Sequence, residues 1–143
     1  MTNKGIAQAF ANGKTTGSAN SMFIDGLTIY SYGYHFPIAR RTSKTDENGK
    51  FIALFTNRGY SNTTAKHKNH VAYALSQAGY RVITCDISSG KIDNKCIERL
   101  TKEVEELNAK KARARKEWSK NRYIAEAGII ASDIETLQRA FSL

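Results

Sequence analysis

Residues 21–36, SMFIDGLTIYSYGYHF, decide the fold: Asp25-Gly26 stands between two apolar, β-rich runs and predicts a hairpin with a two-residue type I′ turn. An antiparallel sheet therefore starts here. Strand alternation through residues 29–36 puts Tyr30, Tyr32, Tyr34 and Phe36 on one face and Ile29, Ser31, Gly33 and His35 on the other. Pro37 cannot donate to a ladder, so the strand is expected to end, bulge or lie at an edge there.

Working outward, Asp46, Asn48 and Gly49 mark the next turn, and residues 50–56 (KFIALFT), apolar on both faces, predict a central strand covered from both sides. Residues 62–78 (NTTAKHKNHVAYALSQA) predict a helix, capped by Asn62 or a neighbouring Ser or Thr and stopped by Gly79. Its inward stripe reads Thr64, His67, Val71, Leu75 and Ala78, while Lys66, Asn69, His70 and Tyr73 face outward. Residues 80–85 (YRVITC) make a last strand before a turn around Gly90.

From Asn94 the period changes to that of a helix, with Ile97, Leu100, Val104 and Leu107 on one stripe that Ala114 and Trp118 continue. Glu98 with Lys102 and Glu106 with Lys110 are favourable i, i+4 pairs. No Gly or Pro intervenes before Gly128, which predicts one helix of about 30 residues and ~45 Å. A compact chain of this size has a radius of gyration of only ~14–15 Å. Such a helix must protrude, bend or pair with a second copy, and its apolar stripe predicts self-association. A shorter helix over residues 132–141, capped by Ser132, closes the chain. The expected fold is α+β: residues 1–93 form an antiparallel sheet with one packed helix, and residues 94–143 a long helical C-terminal arm.

The 143 residues are 41% hydrophobic and carry 22 Lys plus Arg against 13 Asp plus Glu, which excludes a disordered tail and leaves a net charge of +9. That excess favours an acidic partner. It is spread as +4 over residues 1–60, +2 over 61–93 and +3 over 94–143. Two cysteines, Cys85 and Cys96, can build neither a disulfide framework nor a zinc knuckle, so a reducing cytoplasm is the expected setting. Residues 1–13 lack a signal peptide's apolar run, and nothing later approaches the ~20 apolar residues of a membrane span. The expectation is a soluble protein with no membrane partner and no cofactor.

Gly13-Lys14-Thr15 has the wording of a phosphate loop, but Gln8 occupies the upstream glycine position and the segment follows a helix-like stretch rather than a strand. His67 and His70, three residues apart on one helix, could join His35 in metal or acid-base chemistry, the basis of a small histidine-based or metal-dependent nuclease. Against it, no acidic partner is near in sequence, and His67 falls on the apolar stripe, where a hydrogen-bonded core histidine belongs. Cys85-Asp86 reads either as a nucleophile beside a carboxylate or as a buried thiol before a turn. The tyrosine face, with Arg40 and Arg41 close behind, reads either as a stacking platform for unpaired bases or as core.

The strongest cluster is KKARARKEWSKNR, residues 110–122, in which Lys110, Lys111, Arg113, Arg115, Lys116, Lys120 and Arg122 oppose Glu117 alone. On a helix these cations suit a phosphate-tracking arm that releases counterions on binding, or the basic half of an antiparallel dimer, or a solvated face. Lys66, His70 and Tyr73 on the outer face of the earlier helix, with Arg40 and Arg41, complete the candidate binding residues.

The wording of NGKTTGSANSMFIDGLTIYSYGYHFPIARR (12–41) and NRGYSNTTAKHKNHV (57–71) resembles a family of small uncharacterised domains met in bacteriophage and mobile-element proteins. The resemblance covers less than half of the chain and leaves out the C-terminal helix. It transfers no catalytic residue. It implies a gene context in which small soluble proteins inhibit host defence systems such as CRISPR complexes. The function expected is therefore a non-enzymatic binder of nucleic acid or of a host nucleoprotein complex in the host cytoplasm. A nuclease and a structural homodimer built on the long helix are the alternatives.

Overall fold

The computed structural model describes residues 1–59, 61–88 and 91–143. They divide into two units, Met1–Lys91 and Ile92–Leu143. The first runs α1 (Asn3–Ala11), β1 (Thr16–Ser18), β2 (Met22–Asp25), β3 (Thr28–Ser31), β4 (Pro37–Thr45), β5 (Phe51–Thr56), α2 (Asn62–Gln77) and β6 (Arg81–Cys85). The second is α3 (Asn94–Arg113) and α4 (Glu117–Phe141). The six strands lie in sequence order in one sheet, so the α+β class holds.

The hairpin forms one residue later than the turn chemistry suggested. Asp25 pairs with Thr28, leaving Gly26 and Leu27 as the loop. Gly26 takes φ 65° while Leu27 keeps a negative φ, the sign pattern of type II′, which places its glycine first. The expected strand over 29–36 also breaks. At Tyr32 the backbone enters the left-handed region (φ 64°), and Ser31 N–H reaches across the turn to the Phe36 carbonyl at 3.0 Å. That conformation costs a bulky residue on the order of 1–3 kcal/mol. It is held by the Tyr32 N–H donating to the Ser21 carbonyl at 2.8 Å. Pro37 then opens β4 opposite Tyr30, at a strand start where its missing N–H costs nothing.

The turn at Asp46 forms as expected: its Oδ1 accepts from the Asn48 and Lys50 N–H groups, each at 2.9 Å, and Gly49 takes φ 79°. β5 lies between β4 and β6, with Ile52, Ala53 and Leu54 all buried. Every pairing from β1 to β5 is antiparallel, whereas β5 and β6 are parallel. The wholly antiparallel sheet is corrected at this one pair, because α2 is a crossover that returns the chain to run alongside β5.

Ser61 caps α2 by accepting from Thr64 N–H, and Gly79 (φ 84°) stops it. Thr64, His67, Val71 and Leu75 are buried as the stripe required; Ala74 turns inward in place of Ala78. Two helices pack in this unit rather than one. α1 contributes Ile6, Ala7, Phe10 and Ala11 to an apolar cluster with Met22, Ile24, Ile29, Ile38, Val71 and Leu75.

The second unit corrects the single long helix. Ala114 and Lys116 are extended (ψ 138° and 137°), and α4 folds back to pack on α3. A continuous helix would set Lys111 beside Arg115 and Arg113 beside Lys116, like-charge pairs that each cost a few tenths of a kcal/mol. It would also leave the apolar stripe of α3 without α4 to cover it. In the hairpin Ile97 and Leu100 are buried and Val104 and Leu107 half-buried, with Ala127, Thr136 and Leu137 buried on α4. The stripe that pointed to a second copy is thus met within the chain. The separate helix at 132–141 is the last part of α4, which runs unbroken through Gly128 and Ser132. No helix among the described residues is long and apolar enough to cross a membrane.

Candidate nucleic-acid interface

Lys110, Lys111 and Arg113 occupy the last turn of α3, Arg115 and Lys116 the connector, and Lys120 and Arg122 the start of α4. Folding the helix back therefore turns a charged rod into a charged tip. Cations at a helix C-terminus also meet the negative end of its dipole, which stabilises the last turn of α3. Lys120 pairs with Glu117 at 3.7 Å, and Arg122 Nε donates to Glu126 Oε1 at 3.0 Å. Among the described residues none gives Lys110, Lys111, Arg113, Arg115 or Lys116 an acidic partner, and all five are exposed.

The rest of the unit has the opposite sign. Seven cations against Glu117 leave the tip at +6, while eight acids against Lys95, Arg99, Lys102 and Arg139 leave the remainder at −4. On this acidic portion burial, and then Glu106, push the Glu103 carboxyl above its ordinary value. α3 has 20 residues and so spans about 30 Å, whereas charges are screened over ~8 Å at physiological salt. Asp93, Glu98, Asp133 and Glu135, at the far end of the hairpin, are screened from the tip, whereas Glu106 and Glu126 lie one helical turn from it.

The candidate residues of the first unit are placed differently. Arg41 is buried: Nη2 donates to the Lys14 carbonyl at 2.9 Å and the Gly26 carbonyl at 3.3 Å, and the guanidinium lies 4.9 Å from the Phe10 ring centroid. It ties the loop containing Gly13-Lys14-Thr15 to the β2–β3 turn. Arg40 is half-buried, its Nε donating to Thr28 Oγ1 at 3.3 Å and its Nη2 to the Ile87 carbonyl at 3.5 Å. Lys66 and Tyr73 are exposed on α2 and His70 is half-buried.

The single tyrosine face does not form, because the chain turns at Tyr32. Phe36 is buried and Tyr32 exposed, while Tyr30 and Tyr34 pack with Phe23, an aromatic outside the expected face. The centroids are 4.9 to 5.1 Å apart, so these rings spend much of their surface on each other. Tyr34 Oη donates to Asp25 Oδ2 at 2.8 Å, and that hydrogen bond holds its phenol above the ordinary value.

His67 is a core histidine. Nδ1 meets Ser31 Oγ at 2.7 Å, and Nε2 lies 3.2 Å from Ser21 Oγ and 3.3 Å from Asn3 Nδ2. With Asn3 donating through its amide, Nε2 accepts, so Nδ1 carries the proton and donates to Ser31. The carbonyl of His35 accepts from Arg58 Nη1 at 3.0 Å. No three His, Cys, Asp or Glu among the described residues are arranged to hold a metal. Cys85 is buried, and Asp86 Oδ1 accepts from the Ser88 hydroxyl at 2.6 Å.

Burial, and then His70, hold the His67 imidazole below its ordinary 6.5. The unfolded chain takes up this proton near 6.5 while the fold refuses it until lower pH. Stability contributed by neutral His67 is therefore complete above 6.5, falls as pH drops below it, and levels off beneath the depressed value. Thermal melts of wild type at neutral and mildly acidic pH will show this loss. His67→Gln will melt lower throughout but flatten the profile, and an equally steep profile would assign the titration to another group.

No family model, no curated protein and no solved structure matches the chain.

Proposed function

We propose that this chain is a non-enzymatic nucleic-acid-binding protein that engages nucleic acid, free or within a host nucleoprotein complex, through the tip of its helical hairpin. One observation carries the reading: seven cations collect at that tip, and five of them have no acidic partner among the described residues. Phosphates are the polyanions such an array meets most favourably, since each contact releases a condensed counterion. The resemblance of residues 12–70 supplies the context of a phage or mobile-element protein acting in the host cytoplasm, against a defence system such as CRISPR. The nuclease alternative draws less support, because His67 spends both ring nitrogens on Ser31, Ser21 and Asn3.

Binding measured against salt tests the proposal. If the tip neutralises about four phosphates, log affinity falls with log salt at a slope near −3 on single strands (~−0.7 per phosphate) and somewhat steeper on duplex (~−0.9). A slope flatter than about −1, or no binding at low salt, sinks it. A pulldown from host extract, with and without nuclease, then separates partners held through nucleic acid from those held through protein.

A further inference from the structure

Trp118, the single tryptophan of the chain, is 61% exposed in the first turn of α4, amid the cations of the tip. The stripe on α3 would have turned it inward, but the extended connector rotates it out. Leaving so large an apolar ring in water forgoes much of the ~1.5–3 kcal/mol that burying such a side chain gains. Its surroundings say what could cover it. Arg115 and Lys116 precede it in the connector, and Arg122 lies at i+4 on the same helix face. Ser119 and Asn121 flank it, and the other exposed large apolar residues of α4, Ile124 and Ile129, lie about 9 and 16 Å further along the helix axis.

The ring is therefore an isolated flat apolar surface with cations on either side of it in the chain, Glu117 being the one acid among them. A helix that enters a bilayer surface presents a continuous apolar face, which the tip lacks. An unpaired base fits: its π face stacks on the indole while guanidinium and ammonium groups hold the phosphates on either side. Duplex fits poorly, because its bases are already stacked. Two packed helices are also roughly 20 Å across, too wide for a major groove of about 12 Å.

We propose that the tip is a single-strand site, in which Trp118 stacks on an unpaired base and Arg113, Arg115 and Lys116 hold the flanking phosphates. This rests on the nucleic-acid reading above and specifies its ligand. Because the chain holds one tryptophan, its emission reports this ring directly.

The full chain is titrated with an oligothymidine of about 15 residues, an abasic strand of equal length, a duplex of that length and phosphatidylserine vesicles. Oligothymidine will quench Trp118 emission, and the abasic strand and duplex will bind more weakly without comparable quenching. By anisotropy of labelled strands, Trp118→Leu will lose about tenfold in affinity for oligothymidine, keep its salt slope and bind the abasic strand as wild type does. Trp118→Phe will recover part of the loss. Because the side chain is exposed, both variants should keep the wild-type circular dichroism spectrum. Binding of oligothymidine without quenching, and unchanged in Trp118→Leu, overturns the stacking site while leaving the nucleic-acid reading in place. Failure of every strand to bind overturns both, and a response to vesicles alone replaces the base with a membrane surface.

Discussion

Replacing four tip cations together, Arg113→Gln, Arg115→Gln, Lys116→Gln and Lys120→Gln, will flatten the salt dependence of nucleic-acid binding by about 3 units of log-log slope. Across a fourfold rise in salt the wild-type chain will then lose about 50-fold more affinity than the variant. The fold should not suffer. Arg113, Arg115 and Lys116 are exposed and Lys120 half-exposed, and the Lys120–Glu117 pair is a surface contact worth well under 1 kcal/mol. Gln has nearly the helix propensity of Lys and Arg. Thermal melts of the two proteins should therefore coincide within a few degrees while their binding isotherms separate. Equal affinities and equal slopes would remove the tip from the functional account. A drop in sedimenting mass, with no nucleic-acid binding by either protein, would favour the antiparallel dimer.

Phe10→Ala will cost the first unit about 3–5 kcal/mol, a large share of a stability that for a domain of this size is ~5–15 kcal/mol. Phe10 is fully buried, and its ring also supports the Arg41 guanidinium. Truncation leaves a cavity and takes the aromatic face from a buried cation whose Nε already lacks a partner among the described residues. At a urea m-value near 2 kcal/mol/M this is a fall of about 2 M in the midpoint, followed by hydrogen exchange of the β2–β5 amides. Phe10→Leu, which keeps most of the volume, should lose less than half as much. A loss below about 1 kcal/mol for Phe10→Ala would mean that α1 does not belong to the core.

How far these features could be read in advance differed by element. β5 and α2 were legible because each carries its own signal: KFIALFT is apolar on both faces, and Thr64, His67, Val71 and Leu75 repeat at helical spacing. The Asp46 turn was equally local. By contrast, YSYGYHFP alternates like a strand, yet the chain turns at Tyr32 against its intrinsic preference, since the Ser21 carbonyl and the core into which Phe36 packs lie outside the segment. The seven cations of the candidate site were visible as a run, whereas the exposure of Trp118 among them depended on the connector. One cue to that connector was present: the like-charge pairs, Lys111 with Arg115 and Arg113 with Lys116, that a continuous helix would force.

By itself, then, the sequence determined what short-range chemistry controls: the α+β class, the turn at Asp46, the capped helix α2, and a concentration of positive charge over residues 110–122. Tertiary structure alone decided the packing of α1, the parallel seating of β6, the burial of Arg41 and the folding of α4 onto α3. The reason is the range of the forces involved. Hydrogen-bonded turns and helical stripes are set by residues a few positions apart. Which apolar face meets which is settled by burial between segments that the sequence keeps far apart, and at Arg41 and Trp118 that outcome separates a core cation from an exposed ring at the candidate site.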